Sequence, residues 1–294
     1  MLTILWLGAA LAVVPAHQDR VANDLAQFVP VQVQADATAP NVQDRMWRVL
    51  GLGPQMQIFQ KEAAQDAAQF EADGLIGGTG EPWADTVSRI HAPHRLQALF
   101  RKGLANGLAR ADARLLNQGL GFYERGLGQR LVPLETSARM AMLDDDVAAN
   151  AQEAFARATD QGDPRAAQID RLIRSADLVA PNVSSGLNAS VAFSRGFGEG
   201  GGFDMPLSDG QMLAETWAQQ DQIEAETIDW LQSFLMLAYS PLSDAELDDY
   251  ITYAASPEGQ TLAQLMFAAY DSVFLQTSYD MGLAAALRLQ GRQL

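Results

Sequence analysis

The sequence predicts an all-α protein, a helical bundle built from two related helical repeats. Three observations carry that prediction. Apolar residues recur at three- and four-residue spacing, Ser and Pro capping signatures punctuate those runs, and segments 131 positions apart repeat one pattern. Strand signals are weak: Val29-Pro30-Val31-Gln32-Val33 alternates, but Pro30 restricts it to an edge or a loop.

Taken in order, Leu2 to Val14 is uncharged and apolar, followed by Pro15-Ala16 and the polar His17-Gln18-Asp19-Arg20. The run is too short to span a bilayer and fits a secretory signal, residues 1–16, cut after Ala16. A polar segment, 17–43, follows. No Cys stands near the cut to carry a lipid, so the expectation is a mature chain free in the periplasm. No later stretch reaches eighteen apolar residues, and Asp271 interrupts even Leu262 to Leu275, so no stable membrane insertion is expected after cleavage.

The first repeat is expected over 44–146. After Pro93, which suits a first helical position, Leu96, Leu99, Phe100, Gly103, Leu104 and Leu108 draw one stripe along a helix. A polar linker, 147–167, contains Asp160-Gln161-Gly162-Asp163-Pro164. The second repeat spans 168–294. There Ser243 and Glu246 form a capping box ahead of Leu247, Tyr250, Ile251 and Ala254, and Ser256-Pro257 restarts the chain into a long final helix.

The duplication shows at two places. Phe122-Tyr123-Glu124-Arg125-Gly126-Leu127-Gly128-Gln129-Arg130-Leu131 is echoed by Tyr253-Ala254-Ala255-Ser256-Pro257-Glu258-Gly259-Gln260-Thr261-Leu262, with aromatic, Gly-Gln and Leu in register. Upstream, Asp44-Arg45-Met46-Trp47-Arg48 and Pro54-Gln55-Met56 correspond to Asp170-Arg171-Leu172-Ile173-Arg174 and Pro181-Asn182-Val183, at offsets of 126 and 127.

The unit Ser256-Pro257-Glu258-Gly259-Gln260, between an acidic amphipathic helix ending at Tyr253 and a long apolar one, resembles the domain of unknown function 2059 family of exported bacterial proteins. Phe122, Tyr123, Gly128 and Gln129 keep the pattern in the first repeat, where Arg125-Gly126 replaces Ser-Pro, so that repeat is similar to a diverged copy. The resemblance implies a periplasmic all-helical protein and brings no catalytic residues with it. Physically the signature reads as structural: Ser256 caps, Pro257 sits where no N–H bond is owed, and Gly259 lets another helix backbone approach.

Composition narrows the chemistry. With 294 residues, 48% apolar and 19% charged, the chain can bury one large core or two moderate ones. The absence of Cys removes disulfides, thiolate zinc, iron–sulfur clusters and cysteine nucleophiles. A formal charge of −16 argues against nucleic acid as a partner. The charge is uneven: residues 44–146 are near neutral, whereas 170–294 are strongly acidic. Basic residues from Arg89 to Arg114, including Arg95, Arg101 and Lys102, oppose an acidic set including Asp221, Glu224, Asp248 and Asp249. These two sets are the candidate interaction surface, orienting the repeats or docking a partner.

Other constellations read as structural. His91 and His94 straddle Pro93 at a helix start among Arg89, Arg95, Arg101 and Lys102, a cationic setting that reads as surface histidines with no metal. Asp144-Asp145-Asp146 lacks the spaced ligands of a calcium loop. Ser184-Ser185-Gly186 is not a nucleophile elbow, and Gly196-Phe197-Gly198-Glu199-Gly200-Gly201-Gly202, without a following Lys-Ser or Lys-Thr, reads as a flexible connector. Trp47, Trp83, Trp217 and Trp230 read as core.

No motif fixes a reaction, and no cofactor is implied. The leading expectation is an exported, non-catalytic protein-binding or scaffold module whose partner is an unknown periplasmic protein. Its rivals are a hydrolase using Asp248 or Glu224 in a cleft between repeats, and a small-molecule binder with Asn182 or Asn188 as polar anchors in an interhelical pocket.

Overall fold

The computed structural model describes residues 41–291 except 75, 78–80 and 206. The signal segment, most of the polar segment and the weak strand pattern therefore lie outside the described residues. Thirteen α-helices and no strand occur among those described. The first six are α1 (Val42–Val49), α2 (Leu52–Ala72), α3 (Trp83–Ile90), α4 (Pro93–Leu108), α5 (Ala113–Tyr123) and α6 (Gly126–Ala141). Then come α7 (Asp145–Asp160), α8 (Pro164–Ser175), α9 (Val179–Glu199), α10 (Asp209–Trp217), α11 (Gln220–Tyr239), α12 (Asp244–Ala254) and α13 (Pro257–Leu289).

The helix boundaries follow local chemistry. Pro93 opens α4, the Ser243–Glu246 capping box opens α12, and the Ser256 hydroxyl accepts from the Gly259 N–H ahead of α13, as their sequence positions imply. Asp144 caps α7 through its side chain, and Asp145 and Asp146 fill the positive first turn.

Among the described residues six helices precede α7 and six follow it. Helices α2 and α9 both have 21 residues, and α5 and α12 both have 11. The N-caps of the latter pair, Asp112 and Ser243, stand 131 positions apart, as do the first residues of α6 and α13. The α1–α2 corner turns through Gly51 (φ 60°), and the α8–α9 corner through Asp177 (φ 49°), the one non-glycine residue with positive φ among those described. Asp tolerates this left-handed conformation better than most side chains because its carboxylate bonds locally.

The halves interlock. Helix α13 packs on α4 and α5, while α6 packs on α11 and α12, so each half's last helix lies against the other half. The main core runs from Met46 through Phe100 and Leu131 to Phe234 and Phe274. A smaller cluster around Trp83 and Val87 also draws on both halves, through Phe193, Phe197 and Met281. The fully buried leucines of the α4 stripe, Leu96 and Leu104, belong to the main core.

The stretch 147–167 is largely helical: α7 occupies most of it and buries Ala151, Phe155 and Ala158. One reading is corrected by the packing. The glycine run from Gly196 is no connector at its start, because Gly196 and Gly198 lie inside α9. A Cβ on Gly196 would strike the Tyr279 carbonyl of α13, and one on Gly282 the Phe193 carbonyl of α9. Two helices touch there backbone to backbone. Gly259 lets another helix backbone approach, as its position implies: a Cβ there would strike the carbonyl of Tyr253 at the end of α12, and Gly128 meets the Phe122 carbonyl of α5 in the same way. Both glycines make a tight corner possible.

Candidate binding groove

The corner at Asp177 starts a large opening. Helix α8 carries Ile173 and Arg174 in its last turn and ends at Ser175, the chain turns through Asp177, and α9 begins at Val179. Opposite, Ser208 opens α10 with a capping box to Gln211, and α10 ends at Trp217, three residues before α11. Between these elements lies an open groove of about 430 Å³. Its floor is apolar, from Ile173, Val179, Val183 and Leu187. Charge stands at its rim on Arg174, Asp177 and Glu224, and Trp217 forms a wall.

Trp217 is 60% exposed, contrary to the core role expected of it. Leu213, one helical turn earlier on the same face, is 46% exposed, and Met205 just ahead of α10 is 76% exposed. Helix α10 buries Met212 and Thr216 but turns this stripe to solvent. Helix α3, the third helix of the first half, behaves differently. It packs on α2 and buries Trp83, Thr86, Val87 and its last residue, Ile90. Trp217 is the last residue of α10 as Ile90 is of α3, and it is exposed where Ile90 is buried. The remaining tryptophans follow expectation: Trp83 is buried, Trp47 packs edge-on against Phe100, and Trp230 stacks on Phe234.

The predicted charged surface is dispersed. Arg95 ion-pairs with Asp280 of α13 across the halves, but Arg101 pairs with Asp44 at 2.7 Å inside its own half and lies over the Trp47 ring. Lys102 is exposed. Asp248 pairs with Arg171 on neighbouring α8, and Asp249 is exposed beside it. Arg101 and Asp248 thus pair within their own halves, and Arg95 across them. Helix α12 reaches across the halves through Glu246, which pairs with Arg130.

The two hydrolase candidates sit on separate elements, Asp248 in an exposed ion pair and Glu224 on the groove rim. Of the proposed polar anchors, Asn182 is buried and donates to the Leu178 carbonyl, while Asn188 is exposed; neither lines the groove. His91, read as a surface residue, is buried. Its Nδ1 lies 2.9 Å from the Val87 carbonyl, and burial pulls its pKa down to about 4. His94 is exposed. No group of three or more His, Asp or Glu side chains arranged to hold a metal ion occurs among the described residues.

The signature residues form an aromatic stack. Phe122 lies face to face on Tyr253, Tyr123 and Tyr250 bring their hydroxyls within 3.4 Å, and the Tyr253 hydroxyl donates to the Gly119 carbonyl. Gln260 donates to the Ala254 and Ser175 carbonyls, tying the α12–α13 corner to α8, whereas Gln129 is exposed. Beneath the stack, Tyr239 donates to the buried Glu135 carboxylate at 2.9 Å, and burial pushes that carboxyl upward from its ordinary range. Arg139, also buried, pairs with Glu62 at 2.7 Å and lies over the Phe59 and Trp230 rings. This interior set packs densely and opens to no sizeable cavity: the space beside the tyrosines is about 10 Å³.

Sequence reasoning missed the burial of Glu135 and Arg139 and the exposure of Trp217. A charged pair spaced i, i+4 reads as a solvated helix face, and a Trp ending an amphipathic helix reads as core. Comparison of the chain with family models, with curated proteins and with solved structures finds no match. Geometry therefore carries the functional reading.

Proposed function

We propose that this chain is an exported, non-catalytic helical module that binds a periplasmic protein through the groove between α9 and α10. One observation carries the reading: an indole held in solvent over an apolar floor, at the last residue of α10, where α3 buries its own last residue. Exposed apolar clusters of this kind mark interaction surfaces, because leaving a Trp hydrated forgoes ~2–3 kcal/mol of burial. Tryptophan is also the residue most enriched among interface anchors. The uncharged run Leu2 to Val14 supports export, and no helix among the described residues is long and apolar enough to cross a membrane.

The same reading takes the chain as a duplicated six-helix unit related to the domain of unknown function 2059 family. The six helices on either side of α7, the paired left-handed corners and the paired glycine contacts at Gly128 and Gly259 support it. Divergence after duplication leaves one half to complete the core and frees the corresponding corner of the other for binding.

A photo-crosslinking amino acid at position 217 of the full chain, expressed in an exporting bacterium, tests the function. The expected result is a discrete adduct with one protein, absent when the crosslinker sits at position 249 on α12. Equal labelling from both positions, or none from 217, rejects the groove as the binding site.

A further inference from the structure

We infer that the groove takes a cationic amphipathic segment of its partner, with an apolar side chain between Trp217 and the α9 floor and Lys or Arg side chains facing Glu224, Asp221 and Asp177. This inference rests on the binding reading above and specifies the partner's chemistry. Every charged side chain from Gly196 to Leu287 is acidic. Four acids elsewhere in that half have cations beside them: Asp244 pairs with Arg165, Glu246 with Arg130, Asp248 with Arg171 and Asp280 with Arg95. Asp177 and Glu224 of the groove lining, and Asp221 next to its Gln220, enter no ion pair among the described residues, and Arg174 is the only cation in the lining.

Helix starts alone explain part of this arrangement. Asp177 precedes α9, and Asp221 and Glu224 open α11, where the macrodipole favours acids by ~0.3–1 kcal/mol each. The first half, however, has equivalent helix starts and no such acids. Counting from the first residues of α4 and α11, His94 stands for Asp221 and Gln97 for Glu224, and Gly51 takes the corner of Asp177. The acids and the opening occur together, in the half where Trp217 is exposed. An aromatic wall flanked by carboxylates suits a cation twice over, through the ring face and through direct charge pairing. The apolar floor requires that the cation be carried on an amphipathic segment.

The test is titration of the full chain with two short synthetic helical peptides of identical Leu spacing, one with Lys and one with Glu at every polar position, followed by Trp emission and calorimetry. The Lys peptide is expected to bind and the Glu peptide not. Trp217→Ala and Glu224→Lys should each weaken the Lys peptide about tenfold or more, while Asp249→Lys, an equal charge change on α12, should leave affinity within about twofold. All three side chains are exposed, so each variant folds, which unchanged helical circular dichroism verifies. Absence of Lys-peptide binding overturns the inference, as does equal weakening by Glu224→Lys and Asp249→Lys. Failure of the underlying reading is distinguishable: an adduct from position 217 mapping to a neutral or acidic partner segment refutes the cationic occupant and leaves the binding site standing, whereas no adduct refutes the site itself.

Discussion

The Phe122 ring lies flat on Tyr253, its counterpart 131 positions later, with centroids 3.7 Å apart and planes 7° from parallel. Two residues at matching places in successive helical corners thus meet each other. That contact requires the corners to face one another. Helix α6 packs on α11, and α13 packs on α4 and α5 as well as on α9 of its own half, so the core is shared between the halves.

Phe122→Ala and Tyr253→Ala should therefore each destabilise the chain by about 2–3 kcal/mol, below the ~3–5 kcal/mol of fully buried rings because both are part-exposed. The double mutant should show a coupling of about 0.5–1.5 kcal/mol. Chemical unfolding of the four proteins measures it. Single-mutant effects that add to within about 0.3 kcal/mol would show that the stack contributes nothing of its own.

The α9–α13 contact gives a second prediction, with its own control. A Cβ at Gly282 would strike the Phe193 carbonyl, a backbone atom that cannot rotate away, so Gly282→Ala should cost about 1–3 kcal/mol. Gly210, in α10, has open space where its Cβ would go; Gly210→Ala should stabilise by up to about 1 kcal/mol through helix propensity. Thermal melting of both variants decides. Opposite signs are expected, and a neutral Gly282→Ala would mean the helices can separate without penalty.

How much of this was legible in the sequence differs by residue. The stripe Leu96, Phe100, Leu104 and the caps Ser243 and Ser256 are local patterns, and each behaves as written because backbone and side chain alone decide it. The echo of Gly128 in Gly259 was visible, but not that each glycine faces the end of its own preceding helix, since that depends on the corner's path. Arg101 was expected to oppose the acidic half and instead meets Asp44, because folding brings α1 beside α4, a proximity that charge counting cannot reveal. Trp217 was beyond reach for a related reason: α10 ends on a large apolar residue as α3 does, and only the packing leaves its apolar stripe without a cover.

His91 supplies a pH prediction. Burial lowers its pKa from 6.5 to about 4, with the neighbouring Arg95 cation adding to the effect and Asp280 opposing it. The folded state therefore binds fewer protons than the unfolded chain between those values. Its contribution is fully present above pH 6.5 and is lost as pH falls towards 4, by at most about 3 kcal/mol. Urea unfolding of the wild type and His91→Phe at pH 7 and pH 4.5 isolates the term. The wild type should lose more stability on acidification than the variant, and parallel losses would place the imidazole in solvent.

Asp66 acts in the opposite direction. It lies on α2, mostly buried, with the Glu62 and Asp145 carboxylates near it; burial first, and then these two charges, raise its pKa from 3.8 to about 6. The folded state here binds more protons than the unfolded chain, so stability falls as pH rises from about 4 through 6 and stays reduced above. Asp66→Asn removes the titration while keeping the shape. It should therefore stabilise the protein at pH 7 by about 1–3 kcal/mol, discounted for the side chain's partial access to water, and the gain should vanish below about pH 4. Denaturation midpoints of both proteins across pH 4 to 8 test this. A pH-independent difference would assign the effect to packing, and a destabilised variant at pH 7 would show that the Asp66 carboxylate is held by favourable contacts.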